Sequence, residues 1–287
     1  MIIVTGATGQ LGSQIVDHLL KRVPAEKVGV SVRDSGRAVG LTERGVRVRR
    51  GDFTDPGSLA DVFEGATQVL IVSANETGPT AIAAHAAAID AACAARAERI
   101  LYTSHQAASA GSLFAPMHDH AAAERHLAAT GTPFTALRNG FYTSTIPHLL
   151  GRALETGELV APADGPVSWT AHADLAEVAA IILASEARFD GPTPPLTAPG
   201  AVDLDDIAGI LAKLSGRTVK RIVADDDEWT AGLIGHGVPE AQAALLLGMF
   251  HASRRGEFAV TGPALGDLIG RPATPVSLLL EQVTTQR

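Results

Sequence analysis

Residues 5–12 read Thr5-Gly6-Ala7-Thr8-Gly9-Gln10-Leu11-Gly12, with the apolar run Ile2–Thr5 ahead and the amphipathic stretch Leu11–Lys21 overlapping its end and running on. A short strand entering a glycine-rich turn that opens a helix is the first βα turn of a dinucleotide-binding sheet. Gly6 lets the chain turn off the strand. Gly9 lets the backbone approach a pyrophosphate, and Gly12 lets the helix pack close to the sheet. The free amides and the dipole at the helix start then hold phosphate charge, with Thr8, Gln10 and Leu11 completing the cradle.

Outward from this turn the chain alternates two periodicities. Apolar, β-branched runs occur at Ile2–Thr5, Val28–Val32, Val46–Arg49, Val69–Ser73, Ile100–Thr103 and Phe134–Leu137. Between them lie helical patterns at Leu11–Lys21, Gly57–Glu64, Thr80–Ala95 and Asp119–Ala129. This order predicts an α/β fold, a Rossmann-type doubly wound parallel sheet over residues 1–140. After Asn139 the rhythm changes. Helical patterns at Thr145–Glu155, Asp174–Ala184, Leu204–Leu214 and Glu240–Phe250 alternate with strand-like pieces at Val167–Thr170 and Thr218–Val223. Residues 141–287 therefore read as a smaller α+β substrate-binding lobe, part of which returns to the first domain, with the substrate cleft between the two.

The end of the second strand selects the cofactor. An acidic residue there accepts from a ribose 2′-hydroxyl, whereas an arginine accommodates a 2′-phosphate. Arg33 stands at that position, and a guanidinium grips phosphate with paired hydrogen bonds. NADPH is expected as cofactor, with NADH possible because Asp34 follows at once.

Composition narrows the partners. Thirty-one acidic against 23 basic residues leave a formal charge of −8, which disfavours nucleic acid as a main partner. Cys93 is the only cysteine, so no disulfide framework exists within the chain, and a reducing, cytoplasmic setting is expected. No apolar run reaches the ~18 residues that suggest a membrane span, and no membrane partner is expected. Histidine and cysteine spacings match no metal site, and the acidic run Asp225–Glu228 reads as a solvated helix start. No Gly-x-Ser-x-Gly elbow is present. The expected assembly is a monomer or a homodimer.

The G-x-x-G-x-x-G spacing, taken with Val32-Arg33-Asp34, Gly51-Asp52-Phe53, Tyr102-Thr103-Ser104, Leu137-Arg138-Asn139-Gly140-Phe141-Tyr142 and Thr170–Asp174, resembles the NmrA-like branch of the atypical short-chain dehydrogenases. Within that branch it is similar to the NAD(P)H:quinone oxidoreductases. The resemblance implies that Asp52 and Phe53 lie beside the adenine, and that Ser73, Ala74 and Asn75 pass under the middle of the cofactor. Thr103, Asn139 and Phe141 are implied near its nicotinamide end.

The chemistry is sparse. The Tyr-x-x-x-Lys pair used by most short-chain dehydrogenases is missing; the segment that would carry it reads His118-Asp119-His120-Ala121-Ala122-Ala123-Glu124-Arg125. A quinone accepts hydride readily without such a dyad, so the protein mainly has to position the reactants. Four residues are candidates for catalysis. Ser104 offers a hydroxyl to a substrate oxygen, and Asn139 an amide. Tyr142 is an aromatic on which a flat ring can stack, and His120 is an imidazole able to donate at neutral pH. His85 reads as a packed histidine. The leading expectation is NADPH-dependent reduction of a quinone or similar flat electrophile. A relative acting on a dye is a variant of it, and a dinucleotide-sensing regulator without catalysis is the alternative.

Overall fold

Parallel strands covered on both faces must be apolar along their whole length, and this governs the sheet. The computed structural model describes residues 1–185 and 189–285. Its strands are β1 (Ile2–Thr5), β2 (Val28–Val32), β3 (Arg47–Arg50), β4 (Gln68–Ile71), β5 (Arg99–His105), β6 (Phe134–Asn139), β7 (Glu158–Pro162), β8 (Gly191–Pro192) and β9 (Lys220–Ala224). The helices of the first half are α1 (Gln10–Leu19), α2 (Val39–Glu43), α3 (Leu59–Phe63), α4 (Pro79–Ala94) and α5 (Pro116–Thr130). Those of the second are α6 (Ile146–Leu149), α7 (Ala153–Thr156), α8 (His172–Ala184), α9 (Leu204–Ser215), α10 (Asp226–Gly235), α11 (Glu240–Arg254), α12 (Ala264–Ile269) and α13 (Val276–Thr285).

Seven strands form one parallel sheet in the order β3-β2-β1-β4-β5-β6-β8. The fold is a doubly wound α/β sheet. Strand order reverses between β1 and β4, and this switch point opens a crevice at the strands' carboxyl ends. α1 and α8 cover one face, through Ile15, Val16, Leu19, Leu175 and Ala179. α3, α4 and α5 cover the other through Phe63, Ile89 and Leu127, against Ile3, Ile71 and Tyr102. A third core, around Trp169, Leu211, Phe250 and Phe258, fills the second lobe. There β7 and β9 make a two-stranded parallel ribbon.

After β6 the chain leaves this layer, then comes back to it. α8 packs on α1, β8 adds to the sheet edge beside β6, and α12 packs on α8. A buried carboxylate clasps this return. Asp174 accepts from Arg271 Nη2 at 2.8 Å and from the Thr274 N–H at 2.6 Å.

Two local expectations are corrected. The helical pattern Thr145–Glu155 breaks into α6 and α7, with Gly151 in the left-handed region at φ 51°. Val167–Thr170 forms only isolated bridges, Val167 with Val202 and Thr170 with Tyr142. In β3, Arg47 donates to the carbonyls of Glu64 and Val62, and Arg49 pairs with Glu64.

Candidate functional site

Gly6 stands at φ 61°, the conformation that turns the chain from β1 toward α1. A Cβ on Gly12 would lie 2.2 Å from the Gly6 carbonyl oxygen, so only glycine lets α1 sit this close to the turn. Gly9 differs. Its φ of −85° suits any residue, and a Cβ there would meet protein only at 3.3 Å. The side chain missing at Gly9 thus opens the cradle rather than easing the backbone. Among the described residues no side chain caps α1, and its first main-chain bond runs from Ser13 to the Gly9 carbonyl. The N–H groups of Gln10, Leu11 and Gly12 are left for a ligand.

This turn forms one wall of a groove of about 560 Å³ that follows the carboxyl ends of β1, β2, β3 and β4. Thr8, Gly9, Gln10, Leu11 and Gly12 line it at the centre, and Arg33, Asp52 and Phe53 at one end. Asp34 is absent from this wall because its Oδ1 caps the Ser35–Ala38 turn, accepting from the Gly36 N–H at 2.9 Å. The cap brings Arg37 into the groove beside Arg33. Neither guanidinium has a protein hydrogen bond or ion pair among the described residues, so both are available to a phosphate. Asp52 is held charged. The Thr54 N–H and hydroxyl bond its Oδ1 at 2.9 and 2.8 Å and lower its pKa.

Ser73, Ala74 and Asn75 make the floor at the other half of the groove. Three anchors hold this loop. Thr103 Oγ1 accepts from the Ser73 N–H at 2.8 Å, His85 Nε2 from the Ala74 N–H at 3.0 Å, and Asp119 from the Gly78 N–H at 2.8 Å. Thr103 is 1% exposed and bears on the groove only through Ser73. Beyond the floor stand Tyr142, Ser144 and His172. The Tyr142 and His172 rings lie 4.3 Å apart between centroids. Burial raises the Tyr142 phenol pKa, opposed by the Asn139 side chain, and burial lowers that of His172 to about 4. His172 is therefore neutral at pH 7, and its ring nitrogens have no partner among the described residues.

Asn139 is 2% exposed, at the end of β6 opposite His105, and its Oδ1 has no hydrogen-bond partner among the described residues. Phe141 lies in the second-lobe core, 4.9 Å from Phe258 and 5.4 Å from Trp169 between centroids, and does not line the groove. Ser104 donates to Glu124 Oε1 at 2.6 Å, and Arg138 clamps the same carboxylate at 2.7 and 3.1 Å. The Ser104 hydrogen is thereby directed into the protein. His120 accepts or donates at Nδ1 toward the Tyr102 hydroxyl, 3.0 Å away. Cys93 is half-buried beside Thr132. Asp225 caps α10, accepting from the Asp227 and Glu228 amides. No group of three metal-ligating side chains occurs among the described residues.

Sequence reasoning missed Arg37, Ser144 and His172. Arg37 lies four residues past the expected arginine, on a turn whose cap is a local Asx pattern that could have been read. His172 and Ser144 reach the groove only because α8 and the segment after β6 fold back over the first lobe, and no local pattern carries that.

The groove fits a dinucleotide: amides are free at its centre, two unpaired guanidiniums mark one end, and the cradle has a face that a Cβ at Gly9 would fill. Among the described residues no helix is long and apolar enough to cross a membrane. The model of the NmrA-like family matches residues 1–280. Quinone oxidoreductase 2 of Escherichia coli (strain K12) is 33% identical over 278 residues, covering 96% of this chain and 96% of that protein. A crystal structure of the NADPH-dependent quinone oxidoreductase QOR2 of Escherichia coli complexed with NADPH superposes with a TM-score of 0.92 at 32% identity, covering 99% of each chain. Triphenylmethane reductase of Citrobacter sp., complexed with NADP(H), superposes with a TM-score of 0.89 at 34% identity, covering 100% of this chain and 99% of that one. With the glycine turn, the groove and these matches in agreement along nearly the whole chain, the protein belongs to the NmrA-like family.

Proposed function

We propose that this protein is an NADPH-dependent oxidoreductase that reduces a quinone or similarly flat electrophile. The observation that carries the reading is the pair of unpaired guanidiniums, Arg33 and Arg37, at the end of a groove whose centre is the bare amino terminus of α1. The likeness to a quinone oxidoreductase and to a triphenylmethane reductase, both solved with this cofactor, supports it.

The amides of Gln10, Leu11 and Gly12, with the α1 dipole, hold the pyrophosphate. Arg33 and Arg37 take the 2′-phosphate by charge-assisted bonds. Asp52 accepts from the adenine amine. The clamped floor Ser73–Asn75 sets the height of the nicotinamide, and Asn139 and Tyr142 flank that end. When bound, the reduced nicotinamide supplies the hydride. The protein orients the acceptor ring, with Tyr142 and His172 as aromatic walls, and excludes water from the reacting faces. No lysine-assisted phenol is needed, because a quinone gains aromaticity on reduction. The single cysteine fits a reducing, cytoplasmic setting.

The test is a steady-state assay with NADPH and NADH against menadione, other quinones and a cationic triphenylmethane dye. Turnover with NADPH at a KM well below that for NADH is expected. NADPH binding without turnover of any acceptor would leave the sensor as the better description.

A further inference from the structure

Three buried or half-buried side chains form a string that starts at the groove floor. His85, on α4, accepts the Ala74 N–H through Nε2 at 3.0 Å. Its Nδ1 lies 3.3 Å from the Tyr102 hydroxyl, and that hydroxyl lies 3.0 Å from Nδ1 of His120 on α5. His85 and Tyr102 are 2% and 0% exposed, so water does not compete for these bonds.

The chemistry of the donors orders the protons. A main-chain N–H only donates, so Nε2 of His85 carries no proton. The single proton of the neutral ring then sits on Nδ1 and goes to the Tyr102 oxygen. The phenolic hydrogen is left for Nδ1 of His120, which therefore accepts, and the proton of His120 is placed on Nε2. One main-chain amide thus dictates the tautomer of two histidines. Nε2 of His120 has no partner among the described residues. The ring is half-buried, and this nitrogen is not one of the sealed, orphaned polar atoms.

The surroundings favour a neutral ring. His105, from β5, stacks on His120 with centroids 6.1 Å apart. Burial, followed by the nearby His105 and His85, lowers the pKa of His120 well below 6.5. The acidic groups of α5 are occupied elsewhere, Asp119 by the Gly78 amide and Glu124 by Ser104 and Arg138.

Resting on the reductase reading, we propose that His120 presents its Nε2–H to a carbonyl oxygen of the substrate as a neutral hydrogen-bond donor, and that Tyr102 and His85 are positioning residues which hold that tautomer. A C–H bond of the reduced nicotinamide breaks, and its hydrogen, with both electrons, bonds to one carbonyl oxygen of the quinone. The ring π electrons rearrange to the aromatic system, the π bond of the other carbonyl opens toward its oxygen, the nicotinamide is left oxidised, and the hydroquinone monoanion results. His120 stabilises that oxyanion without losing its proton, as a preorganised donor does. Water supplies the proton that completes the hydroquinone.

Long-range 1H–15N spectra of protein labelled in its histidines test the protonation directly, without cofactor. At pH 7 His85 is expected protonated on Nδ1 and His120 on Nε2, the latter assigned by its loss in His120→Ala. In Tyr102→Phe, His85 keeps its tautomer and His120 loses its fixed one. An Nδ1-protonated or charged His120 in the wild type overturns the proposal. Contact is tested in NADP+-saturated protein, where no hydride is available: menadione should shift the His120 Nε2 resonance, and no shift at saturation overturns it. His120→Ala should lower kcat with menadione by ~10²-fold, the scale of one lost oxyanion donor, and Tyr102→Phe by ~10-fold, with the NADPH KM unchanged within about twofold. Unchanged kcat in both overturns it. Absence of wild-type turnover would instead remove the reductase reading, while the menadione shift still decides whether His120 meets the ring.

Discussion

Asp34 turns its carboxylate away from the groove and onto the Gly36 amide, 2.9 Å away. The acidic residue that would bond a ribose 2′-hydroxyl is thereby spent on a turn, and the same turn delivers Arg37 beside Arg33. Arg37→Gln should raise the KM for NADPH by ~10-fold, the worth of one charge-assisted contact of about 1.5 kcal/mol. Arg33→Gln should do the same, and the double variant should bring NADPH close to NADH. The KM for NADH should stay within about twofold. Equal loss with both coenzymes would move the 2′-phosphate elsewhere.

Gly9 and Gly12 separate ligand from fold. Gly9→Ala brings a Cβ to 3.3 Å from the Gly6 carbonyl oxygen, which a shift of a few tenths of an ångström relieves, so the variant should melt within about 1 kcal/mol of wild type yet lose NADPH binding by isothermal titration. Gly12→Ala places a Cβ 2.2 Å from the Gly6 carbonyl, and should cost ~3 kcal/mol or more in urea unfolding. A Gly9→Ala protein that binds NADPH normally would argue against a pyrophosphate at this turn.

The clasp at Asp174 should set the attachment of the chain's last helices. The carboxylate is buried and takes the Arg271 guanidinium together with the Thr274 amide and hydroxyl. Asp174→Ala leaves a buried N–H unsatisfied, which costs about 2–3 kcal/mol once the exposure of Arg271 is allowed for. Differential scanning calorimetry should record a drop of roughly 5–10 °C. Hydrogen exchange should speed up first in α12, and a uniform change across the chain would contradict the clasp.

Acid should destabilise the fold before its carboxylates titrate. Burial lowers His85 to about 4 and His105 to about 3, whereas the unfolded chain titrates both near 6.5. Between pH 6.5 and about 4 the unfolded state takes up these protons and the folded state does not. Stability is full above pH 6.5 and falls by ~1.4 kcal/mol per pH unit for each such histidine. Urea titrations at pH 7.5, 6 and 5 check this, and His105→Asn should flatten the slope.

The sequence by itself determined the parallel sheet, the glycine turn and the arginine at the end of the second strand. These are encoded locally: apolar runs needed for burial on both faces, glycines at one turn, an arginine at one strand end. The family resemblance, more than any local pattern, pointed to Asp52, Phe53 and Ser73–Asn75, which line the groove. Tertiary structure alone decided the other end. Ser104 was legible as a hydroxyl at the end of β5, but not its commitment to Glu124, twenty residues on in α5. Phe141 read as a wall of the pocket and lies in a core that only the packing of the second lobe creates. His172 enters the groove because α8 folds back on α1, and the tautomer of His120 follows from an amide in a different loop. Strand burial and turn geometry repeat along a chain and can be read from it. Which side chain meets which across the sheet depends on close packing between distant segments, and no periodicity records that.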